Sequence, residues 1–174
     1  MSSRIIAVDP FDIVVFGGTG DLTYRKLLPA LYHRHRDKQT PEESRIFGAS
    51  RRPMSNEDYR EATAKALREH VAASELEPEI VESFLKRLYF VSVDAKSDAG
   101  WDDLAAALKE GEDRVRAFYL AVDPSLFGTI SAQIGAKGLV TPMTRVIIEK
   151  PIGHDLASAN EVNDAVGRVF DESQ

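Results

Sequence analysis

Asp12-Ile13-Val14-Val15-Phe16-Gly17-Gly18-Thr19-Gly20-Asp21-Leu22 is the stretch that decides the fold. Its first half is a short β-branched run that ends in glycines, as expected for a strand buried on both faces of a parallel sheet. The glycines turn the chain, and Leu27, Leu28, Leu31 and Tyr32 then recur at helical spacing to about Lys38. Arg34, Arg36 and Lys38 suit the negative end of a helix. Pro29 predicts a kink or break within it, because proline lacks the N–H that the helix needs. Strand, Gly17-x-x-Gly20, helix is the arrangement that seats a dinucleotide pyrophosphate on a helix N-terminus.

Outward from this unit, strands and helices alternate. Arg45 to Ser50 reads as a second strand. Ser55 is an N-cap for a helix to about Ala72, with Tyr59, Ala62, Ala66 and Leu67 on one face. Pro78 stands at a first helical position, and Ile80, Val81, Phe84, Leu85 and Leu88 form an apolar stripe. Tyr89 to Val93 is a third strand. Trp101, Leu104, Ala105 and Leu108 mark a helix that Gly111 stops. Val115 to Val122 reads as a fourth strand, apolar on both faces. A helix follows from Pro124 to about Lys137, ended by Gly138. Arg145 to Glu149 is a fifth strand, and Asp155 caps a helix that reaches toward Phe170. This order predicts an α/β, Rossmann-like, doubly wound and mostly parallel sheet with helices on both faces.

The chain has 174 residues, a length that suits one domain, here 1–174. Hydrophobic residues make up 43% and charged residues 29%, enough for a soluble core. The absence of cysteine excludes disulfides, thiolate zinc sites and a cysteine nucleophile, and fits a reducing compartment. A net charge of −6 argues against nucleic acid as a partner. No apolar run approaches the about 18 residues of a membrane span, and the N-terminal apolar stretch is too short for a signal peptide. The expected location is cytoplasmic.

Two segments select the cofactor and place its reactive end. The second strand runs into Gly48-Ala49-Ser50-Arg51-Arg52, with no acid to hold a ribose 2′-hydroxyl. Two guanidinium groups can pair with a 2′-phosphate instead, which favours NADP over NAD. Glu149-Lys150-Pro151-x-Gly153 follows the fifth strand at the end where open α/β sheets bind ligands. Lys150 there can reach an anionic substrate or the nicotinamide, and a cis bond at Pro151 would hold the turn. Thr23 occupies the third small position of the glycine pattern, a departure from Gly or Ala. A turn that binds nothing, a solvated basic loop and a capped surface loop are the plainer readings of these segments. His33 and His35 point to different helix faces and are read as solvated, and His70 as a surface residue. His-Glu-x-x-His, Gly-x-Ser-x-Gly, the P-loop lysine pattern and Tyr-x-x-x-Lys are all missing, so no metal and no general base is recognised.

Phe16 to Pro29, Tyr119-Leu120-Ala121-Val122-Asp123-Pro124-Ser125-Leu126-Phe127, and Arg145 to Leu156 resemble three motifs of the glucose-6-phosphate dehydrogenases, in the same order. The resemblance implies oxidation of glucose 6-phosphate at C1 to 6-phosphogluconolactone with reduction of NADP⁺, in the oxidative pentose phosphate pathway. It implies pyrophosphate binding by Gly17, Gly18, Thr19, Gly20, Asp21, Leu22, Thr23 and Tyr24. Arg51, with Arg52 beside it, would take the 2′-phosphate. Lys150 would touch both substrate and cofactor, with Pro151 positioning them. Phe127 stands where some members carry a tyrosine near the nicotinamide. Members of the family run to several hundred residues. Their Arg-Ile-Asp-His-Tyr-Leu-Gly-Lys segment, catalytic His–Asp pair and C-terminal substrate and dimerisation domain have no counterpart here. The chain is therefore expected to be the coenzyme domain alone, inactive by itself, from an enzyme that is a homo-oligomer through the second domain. The alternatives are a free-standing NADP sensor and a fold kept only as an interaction surface.

Overall fold

The structure is a computed structural model that describes residues 8–174; the apolar stretch at residues 5–8 falls largely outside them. Its centre is a sheet of β1 (Phe11–Phe16), β2 (Arg45–Ser50), β3 (Leu88–Ser92), β4 (Val115–Leu120) and β5 (Thr144–Ile148). The spatial order is β3-β2-β1-β4-β5 and every neighbouring pair is parallel. The sequence order therefore reverses between β1 and β4, which opens a crevice at the carboxyl ends of the strands.

Alternation along the strands feeds two cores. Val14 and Phe16 of β1 and Phe118 and Leu120 of β4 pack with Trp101, Phe127 and Ile130. Those residues come from α4 (Trp101–Lys109) and α5 (Phe127–Ala136), with α6 (Leu156–Gly167) against α5. On the other face Ile46 and Leu88 pack with Leu28, Tyr32, Tyr59 and Phe84. These belong to α1 (Leu28–Arg36), α2 (Asn56–His70) and α3 (Pro78–Leu85). Caps fall where sequence places them. Ser55 Oγ accepts from Asp58 N, and Asp155 and Ser158 form a capping box. Gly138, at φ +66°, ends α5.

One expectation is refined and two are corrected. The irregularity expected at Pro29 falls in the turn ahead of it, and the helix continues through Pro29 to Arg36. Thr23–Leu27 widens into a π turn, with Leu28 N–H donating to Thr23 O, and α1 starts only there. Pro29 offers no N–H to the preceding turn, and the wider turn accommodates the lost bond.

β4 is not apolar on both faces, because Arg116 is buried within it at 3% exposure. Its guanidinium donates to Leu139 O at 2.9 Å and Leu108 O at 3.0 Å, just after α5 and in the last turn of α4. Burial lowers its pKa and the nearby Asp12 opposes that shift. Asp12 itself is fully buried at the foot of β1. It accepts from Arg45 at 2.9 and 2.6 Å, its register partner on β2, and from Arg114 at 3.3 Å.

His35 is half-buried rather than solvated. Its Nε2 lies 2.6 Å from Ser83 Oγ, its ring packs on Phe84, and its buried Nδ1 has no partner among the described residues. Burial, then Arg87, lowers its pKa. Protonation would leave an N–H without an acceptor. A group held neutral in this way contributes stability above the unfolded value of about 6.5, and loses it as pH falls below that value. The parent is therefore expected to lose more melting temperature between about pH 7.5 and 5.5 than His35→Gln does. Equal losses in the two proteins would remove His35 from the acid response.

Candidate dinucleotide-binding site

The turn after β1 is built by internal contacts that sort its glycines. Gly17 has φ +84°, and a Cβ on it would sit 2.2 Å from Ala121 O. The N–H groups of Gly17 and Gly18 both donate to Ala49 O at 3.0 Å, which ties the turn to β2. A Cβ on Gly18 would meet Gly48 Cα at 2.6 Å. Fully buried Tyr59, from α2, donates its hydroxyl to Gly18 O at 3.0 Å and fills the space over Gly48. Burial pushes that phenol's pKa far up, so it remains a donor.

Thr23, the apparent departure from the glycine pattern, is fully buried and donates Oγ1–H to Gly17 O at 2.8 Å. A hydroxyl that satisfies the turn's own carbonyl does what a small residue alone would not. Gly20 differs from the others. Its N–H closes the turn on Gly17 O at 2.9 Å, and a Cβ on it would find only that oxygen within 4 Å, at 3.1 Å. The open side of the turn is thus at Gly20. The helical run begins at Asp21, so the N–H groups of Asp21, Leu22 and Thr23 lie in a first turn that lacks intrahelical acceptors. With the positive end of the helix behind them they suit an anion. Asp21 is exposed and pairs with Arg25 at 3.3 Å, while Tyr24 leans on Tyr59 with ring centroids 6.3 Å apart.

Beside the turn, the ends of the central strands frame a cleft of about 350 Å³. Gly17, Ser50 and Arg51 line it, as do Val93 to Lys96 after β3, Val122 and Leu126 from the β4–α5 connection, and Ile130 of α5. Thr19 Oγ1 donates to Ser50 Oγ at 3.3 Å and so joins the turn to the end of β2. Arg51 is exposed at the cleft; Arg52 is exposed beside it and is not part of its lining. The reading from sequence passed over Val93 to Lys96. The signal was available, since charged residues after a strand that neighbours β2 must stand on the same rim.

The Glu149-Lys150-Pro151 turn follows β5 on that rim, and the Lys150–Pro151 bond is cis. Lys150 is exposed and lies outside the cleft. Tyr119, on the neighbouring strand, donates its hydroxyl to Glu149 Oε1. Its pKa is pushed up to about 12, by burial first and then by the carboxylate. The residue ahead of Lys150 is thereby anchored to the sheet. Phe127 is fully buried in the core and is not part of the cleft lining. Among the described residues no group of His, Asp and Glu could hold a metal ion, and no helix is long and apolar enough to cross a membrane.

Residues 14–174 match the protein family described as glucose-6-phosphate dehydrogenase, NAD binding domain. This chain belongs to that family. The glucose-6-phosphate 1-dehydrogenase of Rhizobium meliloti (strain 1021) is 58% identical over 174 residues, covering 100% of this chain and 35% of that protein. The Mycolicibacterium smegmatis enzyme is 48% identical over 172 residues, covering 96% and 34%. The crystal structure of the Mycobacterium avium glucose-6-phosphate 1-dehydrogenase superposes with a TM-score of 0.85 at 27% identity, over 94% of this chain and 35% of that one. A glucose-6-phosphate dehydrogenase solved with its substrate gives a TM-score of 0.84 at 30% identity, over 99% and 36%. The chain thus spans about 35% of the length of these relatives. The Rossmann-like sheet found here is the fold of the matching part of these structures.

Proposed function

We propose that this chain is the NADP-binding domain of a cytoplasmic glucose-6-phosphate 1-dehydrogenase, an enzyme that oxidises glucose 6-phosphate at C1 to 6-phosphogluconolactone. The observation that carries the cofactor reading is Arg51. It lines the crevice at the β1/β4 switch point, at the end of the strand where an NAD enzyme places an acid. When bound, NADP⁺ supplies the hydride acceptor. The residues present fit it. Gly20 leaves the backbone open, the first-turn N–H groups of Asp21, Leu22 and Thr23 hold the pyrophosphate, and Arg51 pairs with the 2′-phosphate. The Gly17 and Gly18 N–H groups are taken by Ala49 O, so these two residues shape the turn, Thr19 ties it to Ser50, and Tyr24 packs behind it. Lys150 meets the substrate at the outer end of the rim, on a turn that Tyr119 and Glu149 keep in place. Homo-oligomerisation belongs to the part of the enzyme outside these residues. A free-standing sensor is the poorer reading, because relatives at 58% and 48% identity carry the dehydrogenase name.

Arg51→Ala removes a charge-assisted phosphate contact worth roughly 1.5–3 kcal/mol, about ten- to hundredfold in affinity. Calorimetry is expected to show that loss for NADP and less than about a twofold change for NAD. Equal losses for both cofactors would sink the assignment. The chain alone is expected to give no NADP⁺ reduction with glucose 6-phosphate. Oxidation at C1 needs a base for the hydroxyl proton, and the catalytic His–Asp pair that the family resemblance implies has no counterpart among these residues. Turnover above a mock-purified control, assayed at high protein concentration, would show that a base exists within these residues.

A further inference from the structure

The cleft carries a second cation that cofactor motifs do not point to. Lys96 lies at the apex of the β3–α4 loop and lines the same cleft as Arg51. Neither forms an ion pair within 4.0 Å among the described residues; the Asp94 carboxylate in the same lining lies near enough to feel both charges, so two cations and one carboxylate stand at one small opening. The loop that carries Lys96 is firmly built. The backbone N–H of Lys96 and the Ser97 hydroxyl both donate to the Asp94 carboxylate, at 3.0 and 3.1 Å. Fully buried Trp101 donates to Asp94 O at 2.9 Å, which roots the loop in the core.

The same loop is laced to the residues around Arg51. Val93 N–H donates to Ser50 O at 2.9 Å, and Ser92 Oγ–H donates to Arg51 O at 3.1 Å. Arg51 and Lys96 are thus carried by two backbone segments hydrogen-bonded to each other, which puts both cations on one rim. Asp94 is the one carboxylate in the lining. Both of its oxygens already serve the loop, so it is poorly placed to accept a ribose hydroxyl as an NAD-selecting acid would. The remaining lining after β3 and β4 is apolar: Val93, Val122, Leu126 and Ile130. An apolar slot lined by two cations suits an aromatic base that carries a phosphomonoester on its sugar.

Resting on the NADP reading above, we infer that Lys96, with Arg51, reads the 2′-phosphate, and that this pair rather than Arg51 and Arg52 sets the preference for NADP over NAD. Lys96→Met keeps the aliphatic stem and removes the charge at an exposed loop position, so the fold is not at stake. Trp101 fluorescence checks the loop directly. Calorimetry with NADP, NAD and adenosine 2′,5′-bisphosphate is the test, applied to the parent, Lys96→Met and Arg52→Met. Lys96→Met is expected to weaken NADP and the bisphosphate about tenfold and NAD less than about twofold. Arg52→Met is expected to change all of them by less than about twofold. Unchanged binding in Lys96→Met, equal losses for NAD and NADP, or a larger selective loss in Arg52→Met would overturn this inference while the cofactor reading stands. A parent that binds neither NADP nor the bisphosphate would overturn the cofactor reading, and this inference with it.

Discussion

Gly20→Val is expected to lose NADP binding by roughly a hundredfold or more while the domain stays folded. The reason lies in how the turn divides its labour. Side chains at Gly17, Gly18 or Gly48 would strike Ala121 O, Gly48 Cα or the Tyr59 ring at 2.2 to 2.6 Å, contacts that the backbone cannot relieve cheaply. At Gly20 the nearest atom is Gly17 O at 3.1 Å, and a shift of a few tenths of an ångström accommodates it. The valine methyls instead occupy the open side, where the phosphates approach the first-turn N–H groups. Far-UV circular dichroism and the melting temperature are expected to stay near the parent's, while calorimetry with NADP shows no binding at concentrations that saturate the parent. Retained affinity would place the phosphates elsewhere.

Arg116→Met is expected to have the largest effect on stability. The side chain holds the ends of α4 and α5 together beneath the sheet through two carbonyl oxygens. Hydrogen bonds from a charged donor each contribute about 1.5–3 kcal/mol, and a buried carbonyl left without its partner costs about as much as the bond contributed. Desolvating the guanidinium offsets part of this. A net loss of about 3 kcal/mol corresponds to roughly 6–12 °C in melting temperature for a domain of this size. An unchanged or raised melting temperature would mean that the arginine is tolerated in the core rather than holding the helix ends.

How much of this was legible in advance depends on whether the cause is local. The strands were readable because a strand buried on both faces must be a short apolar run, and Arg45 to Ser50 has the predicted bounds. Pro78 at the head of α3 and the Ser55 and Asp155 caps are likewise decided by chemistry within one turn of chain. Arg116 was not readable in this way. Its acceptors come from Leu108 and Leu139, in separate elements, and a lone arginine in an apolar run says nothing about either. Thr23 looked like a flaw in the glycine pattern because its acceptor, Gly17 O, is met only once the turn has folded back. At the site, Arg51 was found from its place at the end of β2, and the structure sets it in the cleft lining while leaving Arg52 beside it. Lys96 was missed because its link to Arg51 runs through pairing of β2 with β3, across more than forty residues of intervening chain.

The central claim is that a turn open at Gly20 and a cation at the end of β2 make this domain a site for NADP. Calorimetric titration of the unmodified chain with NADP and with NAD, in one buffer at one ionic strength, tests it most directly. The account predicts a single site that binds NADP at least about tenfold more tightly than NAD. Equal affinities, a preference for NAD, or no binding of either cofactor would contradict it.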